Sequence, residues 1–194
     1  MYALITDGSI TKYLRGNRGI TIGDIQYPQN IFTLWSAAER EAIGIYEVVF
    51  DNTNKKDEAY YTNTNQTFAF AGGVVTASYG SATAKSLADV TDEDDNVTPG
   101  LKTQHKEIIK RQASGLLTPT DWYVIKATDV ESYSVPSAVT TFRSDVRTKS
   151  NTMETAIDNA SDVDALATLY EYVNTGTEEN PVMERPLGEF PEEV

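Results

Sequence analysis

The chain has no cysteine. That excludes disulfides, thiolate nucleophiles and cysteine-based zinc sites, and it suits a reducing compartment. Histidine is almost as scarce, with His105 the sole representative. A histidine-based metal site or a nucleophilic triad would have to be built around that one side chain. No Gly-x-Ser-x-Gly elbow is present to supply a serine nucleophile. No apolar run approaches the ~20 residues of a transmembrane helix. The opening Met1-Tyr2-Ala3-Leu4-Ile5-Thr6-Asp7-Gly8 lacks the basic region and long apolar core of a signal peptide. The expected location is therefore a cytoplasm or a soluble particle. No period of 20 to 50 residues repeats, which sets aside solenoids and propellers.

Basic residues are also in deficit: 16 Lys and Arg stand against 29 Asp and Glu, for a formal net charge of −13. A general nucleic-acid binder needs clustered cations to displace counterions, so that class is disfavoured, as is adhesion to anionic membranes. What remains is ordinary for a globular protein. The 194 residues are 40% hydrophobic, enough for one domain or two small ones with a real core.

Turn and cap signals divide the chain. Asp7-Gly8 accepts the positive φ angles of a tight turn, so Tyr2–Thr6 and Ser9–Tyr13 are expected to form a hairpin. Residues 14–30 carry Gly16, Gly19, Gly23 and Pro28 and are expected to be mostly loop. Ser36-Ala37-Ala38-Glu39 fits a capping box, which predicts a short helix ending at Gly44. Ile45–Phe50, Ala59–Thr62, Thr67–Ala71 and Val74–Tyr79 are rich in aromatic and β-branched residues. With Gly72-Gly73 as a turn, residues 45–80 are expected to be an antiparallel meander.

The acidic run Asp92-Glu93-Asp94-Asp95-Asn96 marks a change of character. Thr98 and Pro99 then have the form of an N-cap and first helical position. A helix to about Leu117 would present Leu101, His105, Ile108, Ile109 and Leu116 on one face, interrupted by Gln112. A second helix from near Pro136 past Met153 would bury Val139, Phe142, Val146, Met153 and Ile157. Lys149 breaks that stripe, which argues against a long coiled coil. A third is signalled by Ser161-Asp162-Val163-Asp164 and would bury Val163, Leu166, Leu169 or Tyr170, and Val173. Beyond Gly176 the chain is acidic and proline-containing, a composition expected to be disordered or extended unless a partner holds it. The fold class expected is α+β, with an antiparallel β-rich N-terminal half and a helical hairpin or bundle in the C-terminal half. The expected organisation is a β-rich domain over 1–88, an acidic linker over 89–98, a helical domain over 99–174 and an acidic tail over 175–194.

Candidate chemistry is thin. The run from Asp92 looks like a calcium loop, but an EF-hand needs glycine at the sixth position and glutamate at the twelfth. Val97 and Thr103 stand there, so a solvated linker is the better reading. Arg15-Gly16-Asn17-Arg18-Gly19 could touch an anion. It lacks the Gly-Lys-Ser/Thr ending and the strand–helix setting of a phosphate loop, and reads as an ordinary loop. Carboxylates are plentiful, yet no spacing singles out an acid and a nucleophile for a hydrolase. The sharpest local feature is Thr120-Asp121-Trp122. Asp121 or Thr120 could cap backbone amides where the chain leaves the first helix. Trp122 could fold onto the helices as a structural corner, or with Tyr123 could anchor an interface. Arg143 and Arg147, four apart on one helical face, could pair with Asp121 or Asp145 or meet an acidic partner.

Those residues carry a family likeness. Leu116-Leu117-Thr118-Pro119-Thr120-Asp121-Trp122, followed by Phe142-Arg143-Ser144-Asp145-Val146-Arg147, resembles the C-terminal part of small bacteriophage tail accessory proteins. These are the tail fibre assembly and tail assembly chaperone type, as found in marine phages. The opening Met1–Tyr13 and the segment Trp35–Tyr46 resemble the same group. The likeness spans about half of the chain. It departs from the group where Phe142–Arg147 replaces a Tyr-Arg-x-x-Leu-Arg run, and in the glycine-rich middle and acidic tail. The resemblance implies a non-enzymatic protein without cofactor or metal. Its partners would be tail or tail fibre proteins, or further copies of itself, and not nucleic acid or membrane. It would work in the host cytoplasm during assembly or remain in the virion tail as a baseplate, collar or fibre-attachment part. A tail-associated hydrolase is the weaker alternative.

Overall fold

The computed structural model describes residues 1–193. The fold is mixed α+β, strand-rich in the first half and helical in the second. It divides into two compact units, Met1–Thr83 and Ala84–Val194.

In the first unit, β1 (Tyr2–Thr6) and β2 (Ser9–Leu14) form the expected hairpin. Its turn residues Asp7 and Gly8 have φ of 52° and 75°. The register slips between Leu4 and Ile5, which leaves Thr11 as an extra residue on β2. The Thr11 hydroxyl donates to the Leu4 carbonyl at 3.1 Å. Such a bulge strengthens the local twist. Residues 14–30 are not simply loop. Ile20–Ile22 (β3) and Ile25–Tyr27 (β4) pair as a second small hairpin, turning at Gly23, whose φ is 58°. Two helices follow, α1 (Ile31–Leu34) and α2 (Ala37–Glu41). The capping box forms as the sequence predicts: the Glu39 amide donates to Ser36 Oγ at 3.3 Å, and the Ser36 amide donates to Glu39 Oε2 at 2.7 Å. Gly44, at φ 82°, then reverses the chain into β5 (Ile45–Asp51).

After β6 (Tyr61–Thr62) come β7 (Thr67–Ala71) and β8 (Val74–Ser78), joined by Gly72-Gly73, and then the short β9 (Thr83–Ala84). The main sheet has the order β2-β1-β5-β8-β7. The antiparallel meander is therefore corrected: β8 pairs with β7 antiparallel but lies parallel to β5. A parallel neighbour needs a crossover of a dozen or more residues. The chain between Asp51 and Val74 supplies it, placing β7 on the far side of β8. The sheet curls, and Tyr13 on β2 reaches Phe68 on β7 with ring centroids 4.7 Å apart. Strand alternation splits the core. Ala3, Val48, Val75 and Ala77 are buried on one face with Ile5 and Phe70. Tyr2 and Leu4 point to the other face, against Leu14, Ile20, Ile31, Phe32 and Ile45.

The segment 89–98, expected as a linker, belongs to the second unit. Residues 89–98 contain a hairpin, β10 (Val90–Thr91) with β11 (Val97–Thr98). The chain around it closes the start of α3 (Leu101–Leu117). Gly100 is the N-cap, not Thr98, which lies in β11. The first amides of a helix have no partner within it. Here Leu101 N–H donates to Ser86 O at 2.9 Å, Lys102 N–H to Leu87 O at 3.1 Å, and Gly100 N–H to Asp89 Oδ1 at 2.8 Å. The approach is so close that a Cβ on Gly100 would lie 2.3 Å from the Ala88 carbonyl. Glycine is required there by space.

A 3-10 turn (Thr118–Thr120), α4 (Asp121–Asp129), α5 (Ser137–Asn159) and α6 (Val163–Thr168) complete the helices. In α5 the buried residues are Val139, Phe142, Val146, Ser150, Met153 and Ile157, spaced by three and four. This stripe passes beside Lys149 through Ser150. Phe142 and Val146 pack with Ala113 of α3, supported by Leu116, Leu117 and Phe190. On α3, Leu101, Ile109 and Ala113 are buried while Ile108 is 42% exposed, so the core stripe is narrower than expected. Asp162, not Ser161, caps α6 by accepting from the Ala165 amide at 2.8 Å. Val163 and Leu166 are buried, but Val173 is exposed. The acidic segment after Gly176 is structured. Val173–Asn174 (β12) and Met183–Glu184 (β13) pair, and Leu187 is buried, with its amide donating to the Leu169 carbonyl at 3.0 Å. Buried Leu187 with its satisfied amide, Phe190 packed against the α3–α5 core and the β12–β13 pairing together hold the segment where composition alone pointed to a disordered or extended one.

Candidate functional site

The Thr-Asp-Trp corner is a helix junction. Helix α3 ends at Leu117, whose carbonyl is one of the last four that lack an intrahelical donor. Two groups supply one. Thr120 Oγ1 donates to it at 2.7 Å, and Arg143 Nη1 donates to it at 2.9 Å. Arg143 Nη1 also donates to Thr120 Oγ1 at 2.6 Å, so the hydroxyl accepts from one neighbour while donating to another. The other guanidinium nitrogen, Nη2, pairs with Asp121 Oδ1 at 2.8 Å. One arginine therefore neutralises the negative end of α3 and holds the first residue of α4. The expectation that Thr120 or Asp121 caps amides is corrected: neither caps by its side chain, Thr120 serves a carbonyl, and Asp121 serves Arg143. Thr120 is buried to 6% exposure, and its hydroxyl makes both of these hydrogen bonds in a dry corner.

Arg143 pairs with Asp121 and not with Asp145. Arg147 donates through Nη1 to the Arg143 carbonyl at 3.2 Å. With Lys110 it stands at a shallow cleft of about 500 Å³ between α3 and α5.

Trp122 does not fold into the core. It is 50% exposed and lies against Tyr123, ring centroids 3.8 Å apart. The reason is geometric. Arg143 holds the start of α4 at Thr120 and Asp121, and no residue of this nine-residue helix is buried. Val124 and Ile125 are exposed with Trp122, Ile125 at 61%. Lys126 lies 5.8 Å from the Trp122 ring centroid and 4.4 Å from that of Tyr133. The sequence reading missed this helix and its residues Val124, Ile125, Lys126 and Tyr133. The available signal was the unbroken apolar run Trp122-Tyr123-Val124-Ile125, placed after Pro119, a residue suited to a helix start.

Asp92 and His105 are engaged within the fold. Asp92 Oδ1 accepts from the Asp94 and Asn96 amides, each at 2.9 Å. Hydrogen bonds from the Asn96 side chain and amide hold its carboxyl below the ordinary value. The run is a hairpin turn whose carboxylate is already engaged. His105 packs against Tyr170 with ring centroids 4.8 Å apart, and burial lowers its pKa. Among the described residues no group of three His, Cys, Asp or Glu could hold a metal ion. Among the same residues no helix is long and apolar enough to cross a membrane.

Set against known proteins, the chain matches no family model, no curated protein and no solved structure.

Proposed function

We propose that this chain is a non-enzymatic bacteriophage tail-associated protein that acts in tail or tail fibre assembly through protein–protein contacts. The observation that carries the contact reading is α4. A helix with Trp122, Val124 and Ile125 exposed and no buried residue spends its apolar side chains on the outside. Tryptophan and tyrosine anchors dominate protein interfaces. On a helix Trp122 and Ile125, three apart, share one face, and exposed apolar side chains grouped on a folded domain mark an interaction site. The likeness of the 106–147 region and of the opening hairpin to phage tail accessory proteins supplies the setting, the infected host cytoplasm or the tail of the particle.

Quantitative mass spectrometry of purified particles beside infected-cell lysate tests the reading. Abundance in lysate with absence from particles supports an assembly factor. A fixed ratio to the major tail protein would make the chain a virion component at baseplate, collar or fibre attachment. Absence from both, in a phage that carries the gene, sinks the tail assignment.

A further inference from the structure

We infer that the first unit carries a phosphate-binding site formed by Lys12 near the end of β2 and by Arg15 and Arg18 in the loop that follows it. The inference is independent of the tail reading.

From Gly8 to Gly23 the sequence holds these three cations and no acidic residue, within a chain of net charge −13. All three line one concavity of about 650 Å³, together with Tyr13, Thr21 and Phe32. None of the three is in an ion pair among the described residues, although carboxylates are abundant. Unpaired like charges brought together repel one another. An arrangement of this kind is stabilised when an anion joins it.

The loop is also held in shape. Leu14 and Ile20 anchor its ends in the core. Gly16 has φ of 73° and sits so near the aromatic floor that a Cβ would be 3.0 Å from Tyr2 Cε2. A Cβ on Gly19 would be 2.6 Å from the Tyr27 carbonyl oxygen. The two glycines therefore let the loop press against β4 and the Tyr2 ring. They fix where Arg15 and Arg18 leave the backbone, which reduces the ordering cost of binding.

The charge count selects the ligand class. A single carboxylate is satisfied by one guanidinium fork, leaving two cations unused. Two forks and an ammonium match a dianion or a trianion with several oxygens, as in a phosphate monoester or a pyrophosphate. The site is a short concavity, the size of a small-molecule pocket, and not the extended cationic track that a nucleic-acid backbone requires. Tyr13, half exposed beside the cations, gives the carrier of the phosphate an aromatic face.

Calorimetric titration of the full chain tests this, with sodium pyrophosphate and glucose 6-phosphate as probes and citrate and sulfate at equal ionic strength as comparators. Saturable one-to-one binding of either phosphate probe is expected, tighter than citrate or sulfate. Pyrophosphate alone would assign a free polyphosphate, and glucose 6-phosphate bound as tightly would assign a phosphorylated organic ligand. The double variant Arg15→Ala with Arg18→Ala should weaken binding by about tenfold or more. Arg15→Lys with Arg18→Lys keeps the charge and should recover only part of the loss. Lys55→Ala with Lys56→Ala, elsewhere in the same unit, should bind as the native chain does. Equal affinity across all variants, citrate binding as tightly as pyrophosphate, preference for a glutamate-rich peptide, or no saturable binding would each overturn the assignment.

Discussion

Arg143 Nη2 lies 2.8 Å from Asp121 Oδ1, and the same guanidinium donates to the Leu117 carbonyl at the end of the preceding helix. Two helices are thus joined through the side chain of a third. The ion pair is the weaker part of the arrangement, because the Asp121 side chain is 51% exposed and water screens it. The hydrogen bonds to Leu117 and to buried Thr120 are the stronger part, because losing them strands polar groups in a dry corner.

This ranking gives a test by substitution. Asp121→Asn should cost less than about 1 kcal/mol. Arg143→Lys should cost about 1–3 kcal/mol, since an ammonium cannot reproduce a planar fork serving a carbonyl, a hydroxyl and a carboxylate. Urea unfolding of both variants measures the difference. A costlier Asp121→Asn would mean that the ion pair dominates.

Trp122 should behave in the opposite way. Because it is half exposed and its ring contacts lie within α4 itself, Trp122→Ala should cost only about 0.5–1.5 kcal/mol. If α4 is the contact surface, the same change, alone or with Ile125→Asp, should abolish co-purification with the tail or tail fibre component. A large loss of stability with unchanged partner binding would show that Trp122 is a packing residue.

Gly100→Ala should destabilise the second unit, by about 1–3 kcal/mol, the usual range for steric strain in a well-packed place. Gly115→Ala is the matched control. Its added Cβ meets nothing within 4 Å, so it should be neutral or slightly stabilising. Comparing the two melting temperatures checks the claim, and equal shifts would refute it.

The pH dependence has two windows with the same sign. Burial lowers the His105 pKa below its ordinary 6.5, so the unfolded chain takes up a proton that the folded chain resists. Stability is whole above pH 6.5 and falls as the pH drops through the lowered folded value. Hydrogen bonds likewise lower Asp89, chiefly from Thr103 and Gly100, and Asp162, chiefly from the Ala165 amide. Their contribution is present above the ordinary 3.8 and is lost as the pH falls through their lowered values. Denaturant midpoints across this range should fall in two stages on acidification. His105→Gln should remove the upper stage and leave the lower. An upper stage that survives the substitution would point to another titrating group.

Local signals settled much of this protein in advance. Asp7-Gly8, the Ser36–Glu39 box, Gly44 and the three-and-four spacing of α5 act over a few residues, so the sequence alone determined the first hairpin, α2, β5 and the long helix. The same holds for the α+β class and for the division into strands first and helices after. The tertiary structure decided whatever depends on distant partners. The parallel pairing of β5 with β8 is set by which strand reaches the open edge after a long crossover. Gly100 caps α3 because residues 86–88 return to meet its amides, which no local motif encodes. The acidic segment is held because Leu187 is buried with its amide on the Leu169 carbonyl and Phe190 packs beside Ala113, Phe142 and Val146, all distant in sequence. Trp122 is half exposed because α4, held at its start by Arg143 from a distant helix, has no residue packed into the core. Local propensity is read from neighbours in sequence, whereas burial is a property of neighbours in space.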